Sequence, residues 1–150
     1  MQEVILIARS KYNVNYEKGE RIFNDMVFDS EGEMKMYRDL LLPNLEDGAI
    51  LSIDCQVPFV LQEGFVCDGK PIKPIIYIAD FVVKFKCGQT IVFDFKGMSD
   101  TVAQLKRKMF WKNYPELPLY WVGFSKVDGG YRTYERIREG RRERRKRRHR

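Results

Sequence analysis

The sequence predicts a mixed α/β domain, a central sheet with helices against it, on three observations. Residues 77–97 hold two runs rich in β-branched and aromatic side chains around a short break at Lys86-Cys87-Gly88, the pattern of a β-hairpin. Two segments with helical spacing, opening near Ser30 and near Asp100, lie before and after that hairpin. Apolar extended segments fill the remaining body and end with residues 119–124. The order is helix, several antiparallel strands, helix, strand, and a sheet flanked by helices is the layered arrangement that buries all of their apolar faces.

Each element has its own signal. Residues 3–9 read as a short strand, 10–20 as a polar loop and 21–28 as a further short strand. Ser30 followed by Glu33 fits a capping box, opening a helix to about residue 42 that Pro43 helps to end. Met34, Met36, Tyr37, Leu40 and Leu41 share one face of that helix, and Glu33 falls inside the apolar arc. After a turn over 44–48, residues 49–56 and 57–61 read as extended, with Pro58 marking an edge or a bend. Asp68-Gly69 and two prolines make 67–74 a loop. Ser99 or Asp100 caps the second helix, which runs to about residue 114 with Val102, Leu105 and Met109 inward. Asp128-Gly129-Gly130 is a final turn.

At 150 residues the chain suits one domain, read as 1–131, with a basic tail over 132–150. Such a length buries about two-thirds of the unfolded surface, so no staples are needed. Cys55, Cys67 and Cys87 are odd in number and spaced by 12 and 20, and the one histidine is His149. Those counts argue against a disulfide framework and a structural zinc site, and for a reducing, cytoplasmic setting. No stretch reads as a membrane span, and the apolar run over 4–8 is too short for a signal peptide. The net charge is +6, but residues 136–150 alone hold ten Lys or Arg and two Glu, a balance of +8 that leaves −2 for the rest. A mildly acidic body with a strongly basic end points to a polyanionic partner, DNA, held largely by Arg141, Arg142, Arg144, Arg145, Lys146, Arg147 and Arg148. That segment is either helical from Thr133 or ordered only by its partner.

The hairpin carries the candidate chemistry. A three-residue loop with Gly88 last suits a type I turn closed by a left-handed residue, which sets Phe85 opposite Gln89 and Asp80 opposite Asp94. Alternation then gives Lys96 to the same face, and sends Ala79, Phe81, Val83, Phe85, Ile91, Phe93 and Phe95 to the other as a core surface. Aspartate is depleted in strands, and directly opposed residues have Cβ atoms about 5 Å apart, so two facing carboxylates call for a cation. Mg²⁺ is the natural one, since it takes oxygen ligands, usually one or two carboxylates together with phosphate and water; Mn²⁺ substitutes for it. The Phe95 carbonyl is a further backbone ligand candidate, and Lys96 would sit beside a phosphate. An exposed charged side of an edge hairpin explains the same residues without function. Glu33 is either a cap or an acid aimed into the site, and Gln56 ends a strand where polar residues are commonly structural. Gln104, Lys106, Lys108 and Lys112 form either a solvated helix face or a phosphate contact.

Several segments together resemble a known superfamily. They are Phe28-Asp29-Ser30-x-x-Glu33 with Tyr37, Gln56-Val57-Pro58-Phe59-x-Leu61, Tyr77-Ile78-Ala79-Asp80-Phe81, and Asp94-Phe95-Lys96-Gly97 with Thr101 and Leu105-Lys106-Arg107-Lys108. Asp80 followed by Asp94-Phe95-Lys96 resembles the PD-(D/E)xK, or restriction-endonuclease-like, nuclease superfamily. The wider set is similar to small phage and prophage members regarded as Holliday-junction-resolvase-like endonucleases. The likeness runs over about residues 12–124 and departs where Ala79 stands in place of the nominal proline. It implies an α-β-β-β-α-β core, Glu33 as the helix-borne acid, Asp80 and Asp94 as metal ligands, Lys96 as the catalytic lysine, and Mg²⁺-dependent hydrolysis of DNA phosphodiesters. A homodimer would suit the cutting of two strands. The alternative is a noncatalytic nucleic-acid-binding protein that works through its arginine-rich end.

Overall fold

Asn24 and Asp25 both adopt positive φ, +49° and +61°, and turn the chain back on itself where the sequence suggests one strand over 21–28. The result is a tight hairpin of β1 (Ile22–Phe23) and β2 (Met26–Val27). This is a computed structural model that describes residues 21–149. The strand expected over 3–9 and the loop over 10–20 lie outside the described residues.

The first helical rod is longer than expected. It comprises α1 (Glu31–Met36), a widened π-type turn over Tyr37–Leu41, and α2 (Leu42–Glu46). Pro43 does not stop it. It falls in the first turn of α2, after the widened turn, where the amide that proline lacks is least needed. The Asn44 side chain donates to the Leu40 carbonyl at 2.7 Å, and Gly48, at φ +86°, follows the end of the rod at Asp47.

Residues 49–61, expected as two segments, form one 13-residue strand, β3 (Ile50–Gln62). It is the outermost strand of the main sheet, which accommodates Pro58. The expected loop over 67–74 is largely a second small hairpin, β4 (Phe65–Cys67) and β5 (Lys70–Ile72), turned by Asp68 and Gly69 at φ +48° and +71°. The long hairpin follows as β6 (Ile75–Phe85) and β7 (Thr90–Phe95). Its turn has the expected register: the Phe85 amide donates to Gln89 at 2.8 Å, and Gly88 takes φ +91°. Then come α3 (Thr101–Asn113), capped by the Asp100 carboxylate on the Ala103 amide at 2.6 Å, β8 (Leu119–Ser125), β9 (Gly130–Thr133) and α4 (Tyr134–Arg148).

The main sheet has the order β3-β6-β7-β8-β9, antiparallel except for the parallel pair β7–β8, which α3 connects. The protein is thus mixed α/β with a five-stranded mixed sheet and helices on both faces. One face is covered by the first rod, with Phe28, Met34, Met36 and Leu41 packed on Phe81, Val83 and Val122. The other is covered by α3, with Phe110 packed among Leu61, Tyr77, Ala79, Val92 and Leu119. Among the described residues no helix is long and apolar enough to cross a membrane.

Two expected core faces are corrected. Ala79 does not share a side with Phe81. Tyr77, Ala79 and Val82 all pack on the α3 side, whereas Phe81 and Val83 pack under the first rod. Likewise Cys55 lies on one side and Phe59 on the other. Strict alternation forbids both pairs, so each strand shifts phase at the same rung, where Gln56, at φ +53°, lies across from Asp80. In α3, Val102 and Leu105 are exposed, and the helix turns Ala103, Lys106, Arg107 and Phe110 toward the sheet instead. Phe110 sets that orientation by filling the space between the Phe59, Tyr77 and Tyr114 rings. The long stems of Lys106 and Arg107 serve as wall beside it.

The first rod lies close against β7 because Gly32 has no side chain. A Cβ there would overlap the Phe95 ring. Gly32→Ala is expected to destabilise the fold by about 2 kcal/mol through overpacking, read as a lower midpoint in urea at unchanged slope.

Candidate active site

The backbone ladder between β6 and β7 runs from Lys84–Thr90 to Phe81–Phe93 and there gives way to side chains. The next rung in that register is Asp80 against Asp94. The Asp80 amide donates to Asp94 Oδ1 at 2.9 Å, and the Phe95 amide donates to Asp80 Oδ2 at 2.8 Å. Each aspartate thus replaces a missing backbone bond and holds the strands where they part. On the other side of Asp94, β7 is paired in parallel with β8, which puts Trp121 beside it.

Three further groups converge on this fork. Glu33 arrives from α1, buried at 6% exposure; Ser30 caps the helix by accepting from the Glu33 amide at 3.1 Å, and its hydroxyl donates to Glu33 Oε1 at 3.0 Å. Gln56 arrives from β3, and its amide nitrogen lies 3.4 Å from Glu33 Oε2 and 3.3 Å from Asp80 Oδ1, a bridge between the two acids. Its left-handed backbone, unusual for a side chain of this kind, is what aims the amide there. Lys96 Nζ stands 3.9 Å from Asp94 Oδ2. Glu33, Gln56, Asp80, Asp94 and Lys96 therefore meet at one place, with the Phe95 backbone between the last two.

Among the described residues the electrostatics of the cluster are unbalanced, with three carboxylates against one ammonium. Burial, then the charge of Asp29, pushes Glu33 up to about 8. Burial, then the charges of Asp94 and Glu33, pushes Asp80 well above the usual carboxylate range. Burial raises Asp94 too, opposed by Lys96, the Tyr77 hydroxyl and the Asp80 amide. The thiol of Cys55, also half-buried near these acids, is raised to about 11, first by burial and then by Asp54, Asp80 and Glu33.

Two groups escaped the sequence reading. The Tyr77 hydroxyl donates to Asp94 Oδ2, and the Trp121 indole N–H donates to Tyr77 Oη at 3.1 Å. Tyr77 was hidden because regular alternation sends it to the side of Phe81; only the phase shift at Gln56 returns it to Asp94. A left-handed glutamine has no sequence signature. Trp121 required the parallel β7–β8 register, which no turn specifies.

Other predicted contact residues separate from the cluster. The Lys106 ammonium donates to the Ile76 carbonyl at 2.9 Å. Arg144 is held by Asp128 through two bonds at 2.7 and 3.0 Å. Gln104 is exposed and donates to Ser99 at 3.2 Å, while Lys108 and Lys112 are exposed on α3. Arg141, Arg142, Arg145, Lys146, Arg147 and Arg148 are exposed along α4, which settles that segment as a helix.

Among the described residues no group of three or more His, Cys, Asp and Glu stands ready as a metal cage. The donor chemistry at the fork still fits one oxygen-loving cation. Asp80 and Asp94 present neighbouring carboxylates of which Asp94 contacts the Lys96 ammonium, the Phe95 carbonyl is adjacent in the chain, and two carboxylates with water suffice for Mg²⁺.

The raised acids make stability depend on pH. A carboxyl whose folded pKa exceeds its unfolded value binds more protons when folded, so stability is greatest below the unfolded value and falls as pH rises toward the folded one. For Glu33 that window runs from 4.5 to about 8, and Asp80 and Asp94 act in the same direction. Metal-free protein is expected to melt at a lower temperature at pH 8 than at pH 5. Glu33→Gln should flatten part of that decline, which calorimetry in a chelating buffer checks.

A family model described as a protein of unknown function, DUF1064, matches residues 9–128. No curated protein and no solved structure matches the chain. With the matched span covering most of its length, including every member of the carboxylate cluster, the chain belongs to the DUF1064 family.

Proposed function

We propose that the protein is a Mg²⁺-dependent DNA endonuclease of the restriction-endonuclease-like type, acting on branched or otherwise structured DNA. The observation that carries this reading is the fork itself: Asp80 and Asp94 bridge the parting strands, Lys96 stands 3.9 Å from Asp94, and Glu33 enters from the helix before them. The order α1, β3, β6, β7, α3, β8 supports the α-β-β-β-α-β core that goes with such a site. The resemblance to small phage and prophage resolvase-like proteins favours a recombination or repair substrate, with the enzyme working inside the cell where that DNA lies.

In this reading Asp80, Asp94 and the Phe95 carbonyl hold the cation, and Mg²⁺ or Mn²⁺, when bound, supplies Lewis-acid polarisation of the scissile phosphate. The Lys96 ammonium stabilises the negative charge that builds on the phosphate oxygens. Glu33, with its carboxyl titrating at about 8, exchanges a proton readily near neutral pH and is suited to general acid–base work at the same phosphate. Gln56 holds Glu33 and Asp80 in mutual register. Lys108 and Lys112 on α3, and the free arginines of α4, take the flanking phosphates.

One observation favours a second reading, a noncatalytic binding protein. All four oxygens of Asp80 and Asp94 already accept hydrogen bonds within the fold, so the fork is satisfied without a ligand. Asp94→Ala separates the two. The enzyme reading expects Mg²⁺-dependent cleavage of four-way junction or flap DNA by the native protein, lowered by about three orders of magnitude in the variant, with DNA affinity kept. Cleavage undiminished in the variant would remove the site assignment. Truncation after Gly140 is expected to weaken binding steeply at raised salt.

A further inference from the structure

The basic helix is not an appendage. Its first turn is built into the wall of the carboxylate cluster, and Trp121 is the point of contact. The indole, 1% exposed, donates to Tyr77, which has a single proton and gives it to Asp94. Because the indole N–H can only donate, the Tyr77 proton is left for the carboxylate. Lys96 Nζ lies 5.0 Å from the centre of the same ring, and the Arg107 guanidinium 3.7 Å from it. Thus one buried ring touches both the group that holds Asp94 and the ammonium beside it.

The root of α4 closes on that ring from outside. Tyr134 packs edge-on against Trp121 at 5.6 Å and shares a hydrogen bond with Ser99 at 3.1 Å. Glu135 grips Arg107 at 2.5 Å. One turn on, Ile137 is buried against Gly123, where a Cβ would come within 2.9 Å of it. Gly140 lies so close to Asp128 that any Cβ would overlap its carboxylate, and Arg144 completes the contact with that same aspartate. Positions 134, 137, 140 and 144 form one helical stripe, so the docked face is set and the free arginines point elsewhere.

We propose that Trp121 is a positioning residue through which the DNA-holding helix α4 is coupled to Tyr77, Asp94 and Lys96, with the Glu135–Arg107 pair as the link. A duplex seated on α4 is then presented to the cluster in fixed register. Phosphates arriving at the helix root, by competing for Arg107, are felt at the buried ring. The part of this claim that concerns DNA hydrolysis rests on the nuclease reading above; the coupling itself does not.

The test compares Glu135→Gln with Glu139→Gln. Both remove one acid from α4, so both change its net charge equally, but Glu139 pairs with Arg136 on the exposed side and, among the described residues, with no other cation. With Trp111→Phe as background, Trp121 is the one remaining tryptophan. Its emission is recorded while a short duplex is added without divalent metal, and affinity is measured in parallel by anisotropy of labelled DNA. Because Trp121 is buried, any response is transmitted through protein. The expected result is a saturable emission change that Glu139→Gln keeps and Glu135→Gln loses, at affinities equal within about twofold. With Mg²⁺, Glu135→Gln should lower single-turnover cleavage about tenfold at saturating protein, while Glu139→Gln leaves it unchanged. Should Trp111→Phe fail to fold, the same response is obtained as the difference between the native protein and Trp121→Phe. Emission that ignores DNA, or an equal response from both glutamate variants, overturns the coupling. Absence of cleavage by the native protein overturns the nuclease reading alone, and the emission result still decides the coupling.

Discussion

Below Phe81 the two central strands stop bonding backbone to backbone, and two aspartates span the gap. Much of the site follows from that substitution. A carboxylate that accepts a main-chain N–H is fixed in rotamer and position, so Asp80 and Asp94 are held without needing one another's company. The cost is electrostatic. Two buried acids, with Glu33 as a third, are kept close where, among the described residues, Lys96 is the one ammonium at the fork. Such an arrangement is costly unless protonated or given a cation, which is why its acids titrate high and why an oxygen-binding metal fits the same place. The phase shift at Gln56 belongs to this constraint, since the strand that flanks the fork must turn its amide inward to bridge Glu33 and Asp80.

The helices serve the fork from both faces. Gly32 lets the first rod settle on Phe95 and deliver Glu33, while Phe110 seats α3 and brings Arg107 over Trp121. On that second face α4 is held by small contacts at its root and leaves its cations outward. One residue in the charge reading of the chain's end is thereby changed. Arg144 is a fastening to Asp128, and Glu135 is the partner of Arg107; the free cations are those on the outer side.

The hairpin was legible because its turn is: Gly88 at the third loop position fixes the register, and the register puts Asp80 against Asp94. Glu33 was legible from its place in an apolar arc and the serine before it. What the sequence hid was tertiary. Lys106 reads as part of a solvated face or a phosphate contact from its neighbours' charges, yet Phe110 rotates α3 so that its stem lines the sheet. Val102 and Leu105 read as core and are left outside by the same rotation. Pro43 reads as a stop, and a widened turn carries the helix past it. Tyr77 and Trp121 needed a broken alternation and a parallel strand pair, and neither leaves a mark in local sequence.

The central claim is that the acids of the fork are completed by a divalent cation. Calorimetric titration of metal-free protein with Mn²⁺, repeated in two buffers of different ionisation enthalpy, tests it most directly, because acids that titrate high must give up protons when a cation binds. One saturable site with net proton release near neutral pH, lost in Asp94→Asn, is the predicted result. No saturable binding, or binding unaltered by that substitution, would contradict it.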